Sequence, residues 1–142
     1  MNFKNVALFL LVGVTTVTAF AQDLPTPKLR FVGVTEQVNN GVAVRGYEVR
    51  VVNREEFDNY LFISAPVLPP CGRNENASRT WVNIYDGSGR HLYGWCAIYA
   101  NSELASLRFL IEASKPQPKK LFIDLFDRYE NRTTRSNTVT VE

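Results

Sequence analysis

In the stretch Leu121-Phe122-Ile123-Asp124-Leu125-Phe126, Leu121, Ile123 and Leu125 fall on one side of an extended chain, and Phe122, Asp124 and Phe126 on the other. A run of this length that is apolar on much of both faces predicts a strand in the middle of a sheet. The same period of two recurs outward along the chain. Leu29, Phe31 and Gly33 alternate with Lys28, Arg30 and Val32, and Tyr47, Val49 and Val51 alternate with Glu48, Arg50 and Val52. Between those two runs Asn40-Gly41 supplies the pair that tolerates positive φ, so they are expected to form an antiparallel hairpin. In Arg79 to Asp86, Thr80, Val82 and Ile84 alternate with Trp81, Asn83 and Tyr85. Asp86-Gly87-Ser88-Gly89 then turns the chain into a second aromatic-rich strand, His91 to Ile98. Leu107 to Ile111 and a final run with Val139 and Val141 complete about seven strands, with one helical turn near Asn101 to Ala105.

Seven short strands without long amphipathic helices predict an all-β fold, a two-sheet antiparallel sandwich, and exclude an α/β architecture. The longest connections, Ala65 to Ser78 and Ala113 to Lys119, are expected to be loops and natural places for binding.

The start of the chain reads as an address. Lys4 precedes an apolar run from Val6 to Val14, and Ala19-Phe20-Ala21 fits a signal-peptidase site. The alternative is an uncleaved anchor. The uncharged stretch Val6 to Ala21 is sixteen residues long, however, and a spanning helix wants roughly twenty. Residues 1–21 are therefore expected to be a signal peptide. Residues 22–142 form a single secreted or periplasmic domain of 121 residues, with no transmembrane segment after cleavage.

The chain carries 16 Lys and Arg against 14 Asp and Glu. Losing Lys4 with the leader brings the domain close to neutral, which gives no footing for nucleic-acid binding. Export places Cys71 and Cys96 where disulfides persist, so the pair is expected to be bridged. Closing that loop contributes roughly 3.5 kcal/mol in the chain-entropy view. Two buried free thiols are the alternative.

A hairpin from Leu121 to Thr140, with Asp127-Arg128 before its turn and Ser136-Asn137 after it, resembles fibronectin type III and immunoglobulin-like domains. The segments Leu68-Pro69-Pro70-Cys71-Gly72, Asn76-Ala77-Ser78-Arg79-Thr80-Trp81-Val82 and Leu92-Tyr93-Gly94-Trp95-Cys96-Ala97 are similar to small exported bacterial proteins of unassigned function with such a sandwich. The resemblance spans Tyr47 to Val141 and implies a fold without implying an activity. It departs from the immunoglobulin pattern at Cys71, which lies in a Pro-rich segment and is expected to staple a loop to the strand of Cys96.

Catalytic groups are scarce. His91 is the single histidine and sits at a hairpin exit, where Asp86 and Ser88 are expected to point elsewhere; a catalytic base needs both a nucleophile and an orienting acid. One imidazole is no zinc site. Glu55, Glu56 and Asp58 lack the ladder of a calcium loop. Asp124 and Asp127, three apart on a strand, face opposite sides and cannot act as a glycosidase pair. Pro69 to Asn74 offers Arg73 on a stapled loop, as a protease inhibitor would, and is read as an ordinary structural loop. The sequons at Asn76 and Asn131 are read as inert in a bacterial setting.

The most suggestive set is Trp81, Tyr85, Tyr93, Trp95 and Tyr99. Exposed, these rings would form a ladder that binds sugars or a protein; buried, they would be core. The expectation is a non-enzymatic binding module for a protein or glycan, with no cofactor and no metal. A component of an envelope assembly is the alternative, and a hydrolase with an unrecognised site the third reading.

Overall fold

A computed structural model describes residues 24–142, the side chains of residues 67–70 and 74–75 excepted. The expected leader, residues 1–21, lies outside the described residues. Each predicted period-two run is a strand. The ten strands in order are β1 (Leu29–Asn39), β2 (Val42–Val51), β3 (Ser64–Cys71), β4 (Asn74–Ser78), β5 (Thr80–Asp86), β6 (His91–Trp95), β7 (Leu107–Glu112), β8 (Lys120–Asp127), β9 (Arg132–Arg135) and β10 (Val139–Thr140). Among the described residues the helical content is three short 3-10 segments, Arg54–Glu56, Asn59–Phe62 and Asn101–Ala105. No helix among the described residues is long and apolar enough to cross a membrane.

All pairings are antiparallel, and the strands form three sheets rather than the two expected: β1-β2-β7, β10-β8-β5-β6 with β9 also on β8, and the hairpin β3-β4. Two features account for the higher strand count. The final strand is broken in two: β9 pairs residues 124–127 of β8 and β10 pairs residues 120–121, while Ser136 bridges the gap by accepting from Ile123 N–H at 2.9 Å. The second feature is β3-β4, which occupies the segment expected to be a loop. Pro66, Pro69 and Pro70 lack the N–H a central strand needs. They are accommodated because this two-stranded sheet has no inner strand, and its pairing is irregular between Pro66 and Cys71.

The Asn40-Gly41 turn forms as predicted, with φ of 50° and 80° closing β1 onto β2. The central place expected for Leu121–Phe126 is also found, since β8 is flanked by β5 on one side and β9 and β10 on the other. One core joins the two larger sheets: Tyr47, Val49, Val51, Leu107 and Phe109 from the three-stranded sheet meet Val82, Ile84, Leu121, Ile123 and Leu125 from the five-stranded one. Each buried aliphatic side chain is worth about 1.5–3 kcal/mol by transfer.

Two asparagines fix the entry of the chain into β1. Asn53 accepts from Lys28 N–H at 2.7 Å and donates to Thr26 O at 3.0 Å. Asn137, from beyond β9, accepts from Leu29 N–H at 2.7 Å and donates to Leu29 O at 3.1 Å.

The Cys71–Cys96 bridge is formed, with the Cα atoms 6.2 Å apart, within the usual disulfide range. It ties the end of β3 to the residue after β6. Fully buried Ser78 supports the same junction: its N–H donates to Cys96 O at 2.8 Å, and its hydroxyl accepts from Ile98 N–H at 3.2 Å.

Candidate functional site

Register decides where the five singled-out aromatics go. In antiparallel pairs, directly opposed residues share a face. Val82 opposes Trp95 and Ile84 opposes Tyr93, so Trp95 and Tyr93 both lie on the inner side of the sheet, Trp95 packed against the core and Tyr93 45% exposed at the edge strand. Trp95 packs edge-on against Phe109 (6.1 Å) and Tyr93 (5.0 Å). Trp81 and Tyr85 lie on the opposite, outer side. Tyr99 is beyond the end of β6, which stops at Trp95 rather than at Ile98, and its hydroxyl donates to Asn76 O at 3.3 Å. The five rings therefore do not form a single ladder.

Trp81 and Tyr85 instead join residues that the sequence reading had not grouped with them. On the outer face Tyr85 opposes Phe122 and His91, Asn83 opposes Asp124 and Gly94, and Trp81 opposes Phe126. Strand β9 extends two of these rows, Arg135 opposing Asp124 and Thr133 opposing Phe126. Tyr85 stacks on Phe122 (5.3 Å, 14°) and meets His91 edge-on, while Trp81 meets Phe126 edge-on at 6.5 Å. Two aromatic rows thus flank a polar row. The strand rise puts Trp81 and Tyr85 about 13 Å apart.

The polar row is held rigidly. The Arg135 guanidinium donates two bonds of 2.8 Å to the Asp124 carboxylate and lies 4.4 Å over the Phe122 ring. The Asp124 pairing holds the Arg135 guanidinium above its ordinary pKa. His91 Nε2 is 3.1 Å from Asn83 Oδ1. Gly94 fits because any Cβ there would stand 2.9 Å from Asn83 Oδ1, a contact that would push the carboxamide aside. Arg128 closes one end, its guanidinium 5.1 Å from the Trp81 ring centroid and its Nε donating to Ser78 O. The outer grouping was missed because Phe122 and Phe126 read as the second side of a buried strand. Only the β5–β8 register reveals that they share a face with Trp81 and Tyr85.

The acidic candidates are committed elsewhere. Asp124 and Asp127 do face opposite sides. Asp127 is fully buried and takes a two-bond fork from buried Arg79 at 2.9 and 2.8 Å. The Tyr60 and Tyr129 rings each lie 5.1 Å from that guanidinium. Burial pushes the Asp127 carboxyl up, but the Arg79 fork and the N–H groups of Tyr129 and Glu130 outweigh it and hold the group below the usual carboxylate range. Asp86 accepts from the Ser88 hydroxyl and from the N–H groups of Ser88 and Arg90. Those bonds, the Ser88 hydroxyl foremost, lower its pKa. Glu55 pairs with Arg54, Glu56 accepts from Asn53, and Asp58 accepts from Tyr60 N–H. Together with Arg79 and Glu130 these three line a cleft of about 550 Å³. Among the described residues no three His, Cys, Asp or Glu side chains converge as metal ligands.

No protein-family model matches the chain, and neither curated proteins nor solved structures show a significant similarity to it.

Proposed function

We propose that the protein is an exported, non-catalytic β-sandwich of the fibronectin type III or immunoglobulin kind, which binds a protein or glycan partner through the outer face of its five-stranded sheet. The observation that carries this reading is the composition of that face. Two strands, β5 and β8, present Trp81, Tyr85 and Phe126, each partly exposed, around fixed polar groups, with Phe122 buried beneath Tyr85 and Arg135. Partly exposed aromatics beside oriented hydrogen-bonding groups are what recognition sites use to bind and to discriminate. The non-catalytic part is supported by the commitments of Asp86 and Asp127 to other partners and by the contact of His91 with the Asn83 carboxamide, which is neither an acid nor a nucleophile.

Hydroxyl-radical footprinting tests the location. Residues 22–142 are incubated with the extracellular or envelope fraction of the source cells. Protection of Trp81 and Tyr85, with Tyr93 and Tyr99 unchanged, is expected. Uniform protection, or protection of Tyr93 and Tyr99 alone, overturns it.

A second reading, a subunit of an envelope assembly, draws on β1. This strand is the edge of its sheet and carries exposed Val32, Val34 and Val38, the last 73% exposed. An open edge with apolar side chains invites strand addition. A Val38→Cys protein that crosslinks to an envelope component, and stays uncrosslinked at Tyr93→Cys, would favour it.

A further inference from the structure

We infer that the occupant of the outer face is an uncharged glycan chain, lying with its sugar rings against the aromatic rows and its hydroxyls on the polar row. This rests on the outer-face reading above and names the ligand class for it.

Protein interfaces concentrate apolar residues at the centre and place polar ones at the rim. Here the order is reversed. The centre is Gly94, Asn83, Asp124 and Arg135, and the rings stand on both sides of it. No aliphatic side chain occupies any of these paired outer positions, although aliphatics fill the inner face of the same strands. A sugar ring has the matching chemistry, with flat C–H surfaces that sit on the electron-rich face of an aromatic ring and a rim of hydroxyls that both donate and accept.

The polar row suits hydroxyls because its geometry is set before binding. Buried Asp124 fixes the exposed Arg135 guanidinium through two bonds, so the donors of Arg135 are held in place at the surface of the row. The Asn83 carboxamide accepts on its Oδ1 side near His91, and its Nδ2 donates to no described residue. Groups already held in place lose little freedom on binding. The bare Cα of Gly94 keeps the centre low, so that a hydroxyl can reach Asn83. The charges of Asp124 and Arg135 cancel within the row, and the remaining guanidinium, Arg128, stands outside it at the Trp81 end, so the centre of the face suits an uncharged chain. The spacing of about 13 Å between Trp81 and Tyr85 gives room for linked sugars.

The test titrates residues 22–142, disulfide intact, with cellohexaose, chitohexaose, xylohexaose and mannohexaose, and with a hyaluronan hexasaccharide as the charged comparator, by calorimetry. Saturable binding of at least one uncharged hexasaccharide is expected. Trp81→Ala and Tyr85→Ala should weaken it about tenfold, and Tyr93→Ala should leave it within about twofold. Asn83→Ala and Gly94→Ala, which keep every ring, should each weaken it about fivefold with the unfolding temperature near that of the parent, so a folding defect at Trp81 cannot decide the outcome. Three results overturn the inference: no saturation by any uncharged probe up to about 10 mM, tighter binding of hyaluronan, or equal losses from Tyr93→Ala. Footprint protection of Trp81 and Tyr85 without hexasaccharide binding removes the glycan and leaves the outer-face reading standing. Absence of both removes the two together.

Discussion

The two faces of the five-stranded sheet are made by alternate residues of the same strands, yet they differ in chemistry. On the inner face Val82, Ile84, Leu121, Ile123 and Leu125 are completely buried and purely aliphatic. On the outer face Trp81, Tyr85 and Phe126 are partly exposed, and Asn83 and the Asp124–Arg135 pair lie between the rings. The charged groups differ in their arginines. Asp127, at the inner end of β8, is sealed with buried Arg79, whereas Asp124, also buried, pairs with an arginine whose side chain is 61% exposed. Branched aliphatics fill a closed space without polar atoms to satisfy; rings with oriented hydrogen-bonding neighbours are suited to meeting something from outside. One face of the sheet therefore builds the core, and the other carries rings and oriented polar groups outside it.

That division can be broken or sharpened by substitution, beginning with the buried ion pair. Asp127→Ala strands a buried guanidinium and should cost about 3–5 kcal/mol, while Asp124→Ala, beside an exposed partner, should cost about 1 kcal/mol or less. Urea unfolding of the two proteins measures the contrast, and similar losses would break it. Ile123→Ala should cost about 3 kcal/mol through the cavity it leaves, read from the same denaturation. The pH dependence follows from Asp127. Its folded pKa lies below the unfolded value of about 3.9, so its contribution is complete above about pH 4 and is lost as pH falls through the folded value. The urea midpoint should drop below about pH 4 in the parent, and Asp127→Asn should flatten that drop from a lower starting stability. The smallest effect is expected at Tyr85→Ala. Removing one outer ring contact should cost about 1 kcal/mol in thermal unfolding, and a loss as large as that of Ile123→Ala would place Tyr85 in the core.

The strands were legible because each leaves a local signature. Leu121 to Phe126 announced a central strand by being apolar on both sides, and Asn40-Gly41 announced its turn by requiring positive φ at two successive residues. The β3-β4 hairpin was not legible: its prolines signal a loop, and they are tolerated only because the hairpin stands apart from the two larger sheets. The aromatic set was half legible. That Trp81 and Tyr85 share a face follows from alternation, but whether Tyr93 and Trp95 join them depends on cross-strand register. The shift between Ile84 and Tyr85 in the β5–β6 pairing is a property of two strands together, and a one-residue change moves every side chain to the other face. The outer site required the same non-local information, since Asp124 and Arg135 meet through the β8–β9 pairing.

Asn137 has a consequence for the exposed edge of the three-stranded sheet. A carboxamide is a peptide unit carried on a short stem, and by bonding both the N–H and the C=O of Leu29 it takes the place of a neighbouring strand one residue long. Any incoming strand meets an occupied first rung, and the available template begins only at Phe31, next to the bulge between Phe31 and Gly33. A bulge spoils the flat register that end-to-end stacking of copies requires. Together the plug and the kink shorten the stretch of β1 that another chain could pair with along its edge.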